Sequence, residues 1–149
     1  MSLPAQFVFS QLAPEAAFSF PYLYIASDAA PTDWIDVFAV GLACACLFGA
    51  WLSDNSLRNF VNSAPRTAVL QTGLWAYSRH PNYLCESTFH WALGLWALRS
   101  GAPAWLLLGG AAFNSLILFV TCFLTEANFM RGPRREEYIK YCKKVRMIL

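Results

Sequence analysis

The sequence predicts an all-α integral membrane helical bundle of about four transmembrane helices, closed by an amphipathic, basic C-terminal tail. Three observations predict it. Of 149 residues, 57% are hydrophobic and only 13% are charged, against roughly 25% charged in an ordinary soluble domain. Too few charges remain to cover the surface of a soluble protein of this size. The uncharged stretches recur at intervals that suit membrane helices, which need about 20 residues each. The charges also segregate: residues 1–57 hold five acids and no Lys or Arg, whereas residues 126–149 hold seven bases and three acids. A basic tail of this kind reads as a juxtamembrane segment facing the cytosol and its anionic lipids, and not as a nucleic-acid surface.

The chain reads as one membrane domain over residues 1–149. Residues 5–26 are long enough to span, although Glu15 and two prolines interrupt them. Residues 27–34 form a polar, acidic turn in which Asp33 can cap the next helix. Residues 35–53 are a second span; Gly41, Ala43, Ala45 and Gly49 are the small residues that let membrane helices approach closely. Residues 54–81 form a cytosolic connection. Helical spacing of Asp54, Leu57, Arg58 and Val61 carries the second helix past the membrane edge before it breaks near Pro65.

The third span is set by a length argument. Between Glu86 and Arg99 lie twelve uncharged residues, about 18 Å of helix, which is too short to span. The helix must therefore begin near Pro81, a residue suited to a first helical turn. The span 82–98 then carries Asn82, Glu86 and His90 at i, i+4 and i+8, a polar stripe on one face. A fourth span covers 103–125, and residues 126–149 are the tail. The positive-inside rule places both termini and the 54–81 connection in the cytosol, with the acidic turn and the Arg99 turn on the opposite side.

A carboxylate at membrane depth is costly, which makes Glu86 a functional candidate; the structural alternative is pairing with Arg79 or His80. The five cysteines are an odd number without CxxC spacing and read as apolar packing residues. Two histidines and scattered acids do not make a metal ligand set. No phosphate-binding loop of the P-loop or Rossmann type is present. Arg58, Arg66, Arg79 and His80 beside Trp75, Tyr77 and Tyr83 suit a phosphorylated, ring-bearing ligand, and equally suit interfacial anchoring.

The run Gly73-Leu74-Trp75-Ala76-Tyr77-Ser78-Arg79-His80-Pro81-Asn82-Tyr83-x-x-Glu86 resembles the signature of membrane oxidoreductases related to steroid 5-alpha-reductase, in the branch with a Ser-Arg-His-Pro-Asn-Tyr run. Ser53-Asp54-x-x-Leu57-Arg58 matches a second element, and Leu124-Thr125-Glu126 with Glu137-Tyr138-x-x-Tyr141 matches the tail. The family's usual Gly before the motif Glu is Cys85 here, and its closing Ser and Pro are absent. The resemblance implies a helical bundle enclosing NADPH. Asp54, Asn82, Tyr83 and Glu86 would be cofactor contacts, joined by Arg58, Tyr77, Arg79, His80 and a tail residue such as Arg131 or Tyr138.

The reaction implied is hydride delivery to a carbon–carbon double bond conjugated to a carbonyl, in a lipid-like or steroid-like substrate. The family's proton-donating Tyr lies in amino-terminal spans not matched here, so no catalytic acid is named. The implied setting is a multi-pass membrane protein of the endoplasmic reticulum or another endomembrane, or of the inner membrane in a bacterium. Two alternatives stand beside this reading. Membrane methyltransferases of the isoprenylcysteine carboxyl methyltransferase type share an Arg-His-Pro-x-Tyr run and a Glu near a basic tail, and use S-adenosylmethionine. Asn82, Glu86 and the Asp54 element favour the reductase. The third reading is a truncated, non-catalytic membrane scaffold.

Overall fold

The computed structural model describes residues 19–148, and all its regular structure is helical. Helix α1, Phe20–Ser27, has Pro21 in its first turn and ends at Asp28. Helix α2, Trp34–Ser63, is 30 residues long. Its start is closed reciprocally: Asp33 Oδ1 accepts from the Ile35 and Asp36 amides at 2.8 and 3.2 Å, while Asp36 Oδ2 accepts from the Asp33 amide at 2.8 Å. The helix stops before Pro65, which supplies no amide hydrogen.

A single 3₁₀ turn, Gly73–Ala76, interrupts the connection that follows, with Gly73 at φ +61°. Helix α3, Pro81–Arg99, starts at the proline. It ends in a Schellman arrangement: the Ala102 amide donates to the Ala97 carbonyl at 2.9 Å and the Gly101 amide to Leu98 at 3.1 Å, with Gly101 at φ +88°. A short α turn, Trp105–Leu107, and a π turn, Leu108–Ala112, lead into α4, Phe113–Phe129. Helix α5, Arg135–Lys144, forms the tail.

Among the described residues, two helical stretches are long and apolar enough to cross a membrane: Trp34–Ser63 and Gly109–Phe129, with mean hydropathies of 2.0 and 1.5. Only 22% and 33% of their apolar windows are buried, so their large side chains (Phe48, Trp51, Leu116 and Phe123 among them) face outward, as a lipid-facing helix requires. Helix α3 has a spanning length of 19 residues, but Asn82, Glu86 and His90 keep it below that apolarity. Residues 5–18 of the first expected span lie outside the described residues; the remainder of that segment is α1, of 8 residues.

Contacts divide the chain into two compact units. One comprises Met1–Cys44 and Ser87–Leu116. Within it Arg99 gathers the acidic turn. Its Nη1 pairs with Asp28 at 2.5 Å, its Nε with Asp33 at 3.2 Å and Asp36 at 3.5 Å, and its Nη2 donates to the Pro31 carbonyl at 2.9 Å. The Arg99 side chain is 16% exposed, and its guanidinium neutralises part of this acidic cluster. The acidic turn and the Arg99 turn thus meet, which is compatible with the shared side read from the sequence. A polar patch also sits after the π turn, where the Ser87 and Ser115 hydroxyls lie 2.7 Å apart and the Trp91 indole donates to Ser115 at 2.9 Å.

The other unit comprises Ala45–Glu86 and Ile117–Leu149. It holds every Lys and Arg of the chain except Arg99. Its core is Tyr138, Tyr141 and Val145, packed with Val69, Phe129, Met130 and Cys142. Gly49 faces Cys85, and a Cβ at residue 49 would meet the Cys85 sulfur at 2.8 Å. A side chain larger than hydrogen at Gly49 therefore has no room beside Cys85.

Candidate functional site

The site is built within the basic unit, around the 3₁₀ turn and the start of α3. The turn is held from two sides. The Trp75 indole donates to the Ser53 carbonyl at 3.1 Å, fixing the turn against α2. The Tyr141 hydroxyl, from α5, donates to the Trp75 carbonyl at 2.6 Å and also lies 3.2 Å from the Ser78 carbonyl. Tyr141 is 2% exposed, and burial pushes its hydroxyl pKa up to about 12. The chain past α5 then runs alongside the motif: the Arg79 amide donates to the Arg146 carbonyl at 3.1 Å, and the Ser78 hydroxyl to Met147 at 3.3 Å.

Ser78 is buried, and its hydroxyl also accepts from the His80 amide at 3.2 Å. That bond turns the chain into α3 and aims two side chains at one carboxylate. Glu126, near the end of α4, accepts from Arg79 Nη1 at 3.0 Å through Oε2 and faces His80 Nε2 at 3.1 Å through Oε1. Arg79 Nη1 also reaches the Cys142 sulfur at 2.7 Å. His80 is 4% exposed; burial lowers its pKa, and Glu126 acts in the opposite direction. Its ring stacks on Tyr83 with centroids 5.4 Å apart and planes 7° from parallel. Beyond it, Asn82 Nδ2 donates to Asp54 Oδ1 at 3.0 Å.

All ten residues singled out as cofactor contacts fall in this unit. Asp54 and Asn82 are joined directly, as are His80 and Tyr83. Arg79 and His80 converge on Glu126, and Glu86 is exposed. Arg58, Tyr77 and Arg131 are exposed, with Tyr77 at 76%. Tyr138 is 3% exposed and belongs to the core of the unit; burial and then Glu126 raise its pKa.

Glu126, Ser53, Trp75, Ser78, Tyr141 and Cys142 take part although none was among the expected cofactor contacts. Glu126 had a signal: it is the acid that ends the longest uncharged stretch, and such a group needs a partner. Among the described residues no group of His, Cys, Asp and Glu is arranged to hold a metal ion.

Arg79 Nε, Asn82 Oδ1 and the Tyr138 hydroxyl are buried without a hydrogen-bond partner, which leaves donors and an acceptor within the site. Arg58, Arg131 and the Tyr77 ring are exposed on the same unit, and groups of these kinds suit phosphate and planar partners.

The model of the family described as protein of unknown function (DUF1295) matches residues 3–145. No curated protein and no solved structure matches the chain.

Proposed function

The chain belongs to the DUF1295 family, and on that footing we propose that it is a membrane-embedded NADPH-dependent reductase, or the cofactor-binding half of one. Its reaction would reduce a carbon–carbon double bond conjugated to a carbonyl in a lipid-like or steroid-like substrate. The family is one associated with steroid 5-alpha-reductase-like proteins. One observation carries the reading. The three separated segments that resemble that superfamily are bonded to one another: Asp54 to Asn82, Ser53 to Trp75, and Tyr141 to Trp75 and Ser78.

The residues present fit the cofactor chemically. Arg58 and Arg131 would meet its phosphates, Tyr77 would stack on a ring, and the uncommitted Asn82 Oδ1 would accept from an amide. NADPH, when bound, supplies the hydride. This chain's own part is to bind and orient it, with Asp54 and Tyr83 fixing Asn82 and His80 in place. The two apolar helices support a multi-pass protein, of an endomembrane in a eukaryote or of the inner membrane in a bacterium.

One feature favours a second reading, an S-adenosylmethionine-dependent methyltransferase. The Arg-His-Pro-x-Tyr run is tied through Arg79 and His80 to a glutamate beside the basic tail. Thermal unfolding of the purified chain in detergent separates the two, because a ligand that binds only the folded state raises apparent stability. Protection by NADPH, weakened in Asn82→Ala and Glu86→Gln, is the expected result. Protection by S-adenosylmethionine alone overturns the reductase reading, and protection by neither leaves a non-catalytic membrane scaffold.

A further inference from the structure

We propose that the basic unit contains a partly enclosed pocket for a small oxyanion of the phosphate type. A cavity of about 40 Å3 lies among α2, the 3₁₀ turn, α4 and α5. That is room for more than a single water, and enough for a small ion to enter. Its walls are mostly apolar, with Phe60, Trp75 and Phe129 prominent. Arg79, Arg134 and Tyr138 are the side chains that bring charge or an uncommitted hydroxyl to it.

These three leave donors to be met. Tyr138 is 3% exposed, and its hydroxyl comes near Glu126 without making a hydrogen bond of normal geometry. Arg79 spends Nη1 on Glu126 and Cys142, while its Nε is buried without a partner. Arg134 is held in place by Nε donating to the Arg66 carbonyl at 2.9 Å, with its guanidinium 5.9 Å from the Phe129 ring centre. Unmet donors in an apolar enclosure are costly.

No carboxylate lines the cavity among the described residues. Glu126 balances the charge of Arg79, so the net positive charge at the cavity comes from Arg134, a part-exposed guanidinium with no carboxylate bonded to it among the described ion pairs. A guanidinium N–H only donates, and the Tyr138 hydroxyl has its proton free to give, so an occupant must accept several hydrogen bonds and carry negative charge. Water answers the first demand alone. A phosphate-type oxyanion answers both, whether as free phosphate or as a phosphomonoester on a nucleotide. The inference does not depend on the cofactor assignment.

The test uses the full chain in detergent, titrated with inorganic phosphate at constant ionic strength and followed by thermal unfolding and calorimetry. The expected result is a saturable rise in melting temperature. Tyr138→Phe and Arg134→Gln should each weaken phosphate at least about tenfold, the scale of one lost hydrogen bond to a charged group. Without phosphate, Tyr138→Phe should melt at or above the wild-type temperature, because it deletes an unmet hydroxyl. A non-saturable response, or equal phosphate affinity in wild type and both variants, overturns the pocket. Competition by NADPH but not NADH assigns the oxyanion to the nucleotide; competition by neither assigns it to free phosphate. Loss of NADPH binding with phosphate binding intact would sink the reductase reading and leave the pocket standing.

Discussion

Tyr141→Phe isolates a single bond that joins the tail to the motif. The phenol donates to the Trp75 carbonyl at 2.6 Å with the Ser78 carbonyl at 3.2 Å, and the residue is 2% exposed. Phenylalanine keeps the ring, and with it the packing on Tyr138 at 6.0 Å between centroids. Only the hydroxyl is lost. Removing the donor from a buried carbonyl costs about 1–3 kcal/mol. For a chain of this length each kcal/mol moves the melting temperature by roughly 2–4 °C, so a mid-range loss of about 2 kcal/mol gives a fall of about 4–8 °C.

Tryptophan fluorescence during thermal unfolding in detergent reads this directly, because Trp75 sits in the turn that loses its anchor. Tyr77→Phe, at a residue 76% exposed, is the control and should leave the melting temperature unchanged. The two variants should also differ in alkali. The folded state holds the Tyr141 hydroxyl protonated up to about pH 12, whereas an unfolded tyrosine ionises near pH 10. Its contribution is therefore complete below about pH 10 and is lost as pH rises towards the folded value. Wild type should lose more stability over that interval than Tyr141→Phe. Tyr138 is shifted in the same direction, so some alkaline loss remains in the variant. If Tyr141→Phe melts with the Tyr77→Phe control, the proposed anchoring of the motif by the tail is wrong.

Three other perturbations test the remaining contacts. Gly49→Ala places a Cβ 2.8 Å from the Cys85 sulfur and should destabilise by about 1–3 kcal/mol; adding Cys85→Ala should restore the melting temperature, and no loss in the single variant refutes the close approach. Asp33→Ala removes the acceptor for the Ile35 and Asp36 amides and should cost about 1 kcal/mol. Asp33→Asn keeps the cap while discarding the charge, so an equal loss in both variants would mean that the Arg99 ion pair, and not the cap, carries the effect. Because burial lowers the His80 pKa, protons bind the unfolded chain first; stability should fall as pH drops below about 6.5. His80→Gln should flatten that decline, and an unchanged slope would show that His80 is not its source.

Much of the backbone was legible in the sequence because its causes are local. The start of α3 at Pro81 followed from counting uncharged residues, the stop of α2 before Pro65 from the missing amide hydrogen, and the cap at Asp33 from its short acceptor side chain. Charge placement across a bilayer put Arg99 on the same side as Asp28 and Asp33, while their pairing came from the structure. Less legible was α3 as a membrane span: its length suffices, but its polar stripe keeps it less apolar than α2 and α4. The stripe itself divides, since Asn82 turns to Asp54 while Glu86 is exposed.

By itself, then, the sequence determined the helical class, the excess of apolar surface, the segregation of charge and the stretch on which the site is built. These are properties of composition and of neighbours within a turn or two. Only the tertiary structure decided the partners. Arg79 and His80 meet Glu126, 47 and 46 positions away, and Tyr141 meets Trp75 across 66. No periodicity encodes such pairings, because they depend on how α4 and α5 return past the motif. The same return encloses the cavity beside Tyr138 and leaves its hydroxyl without a partner.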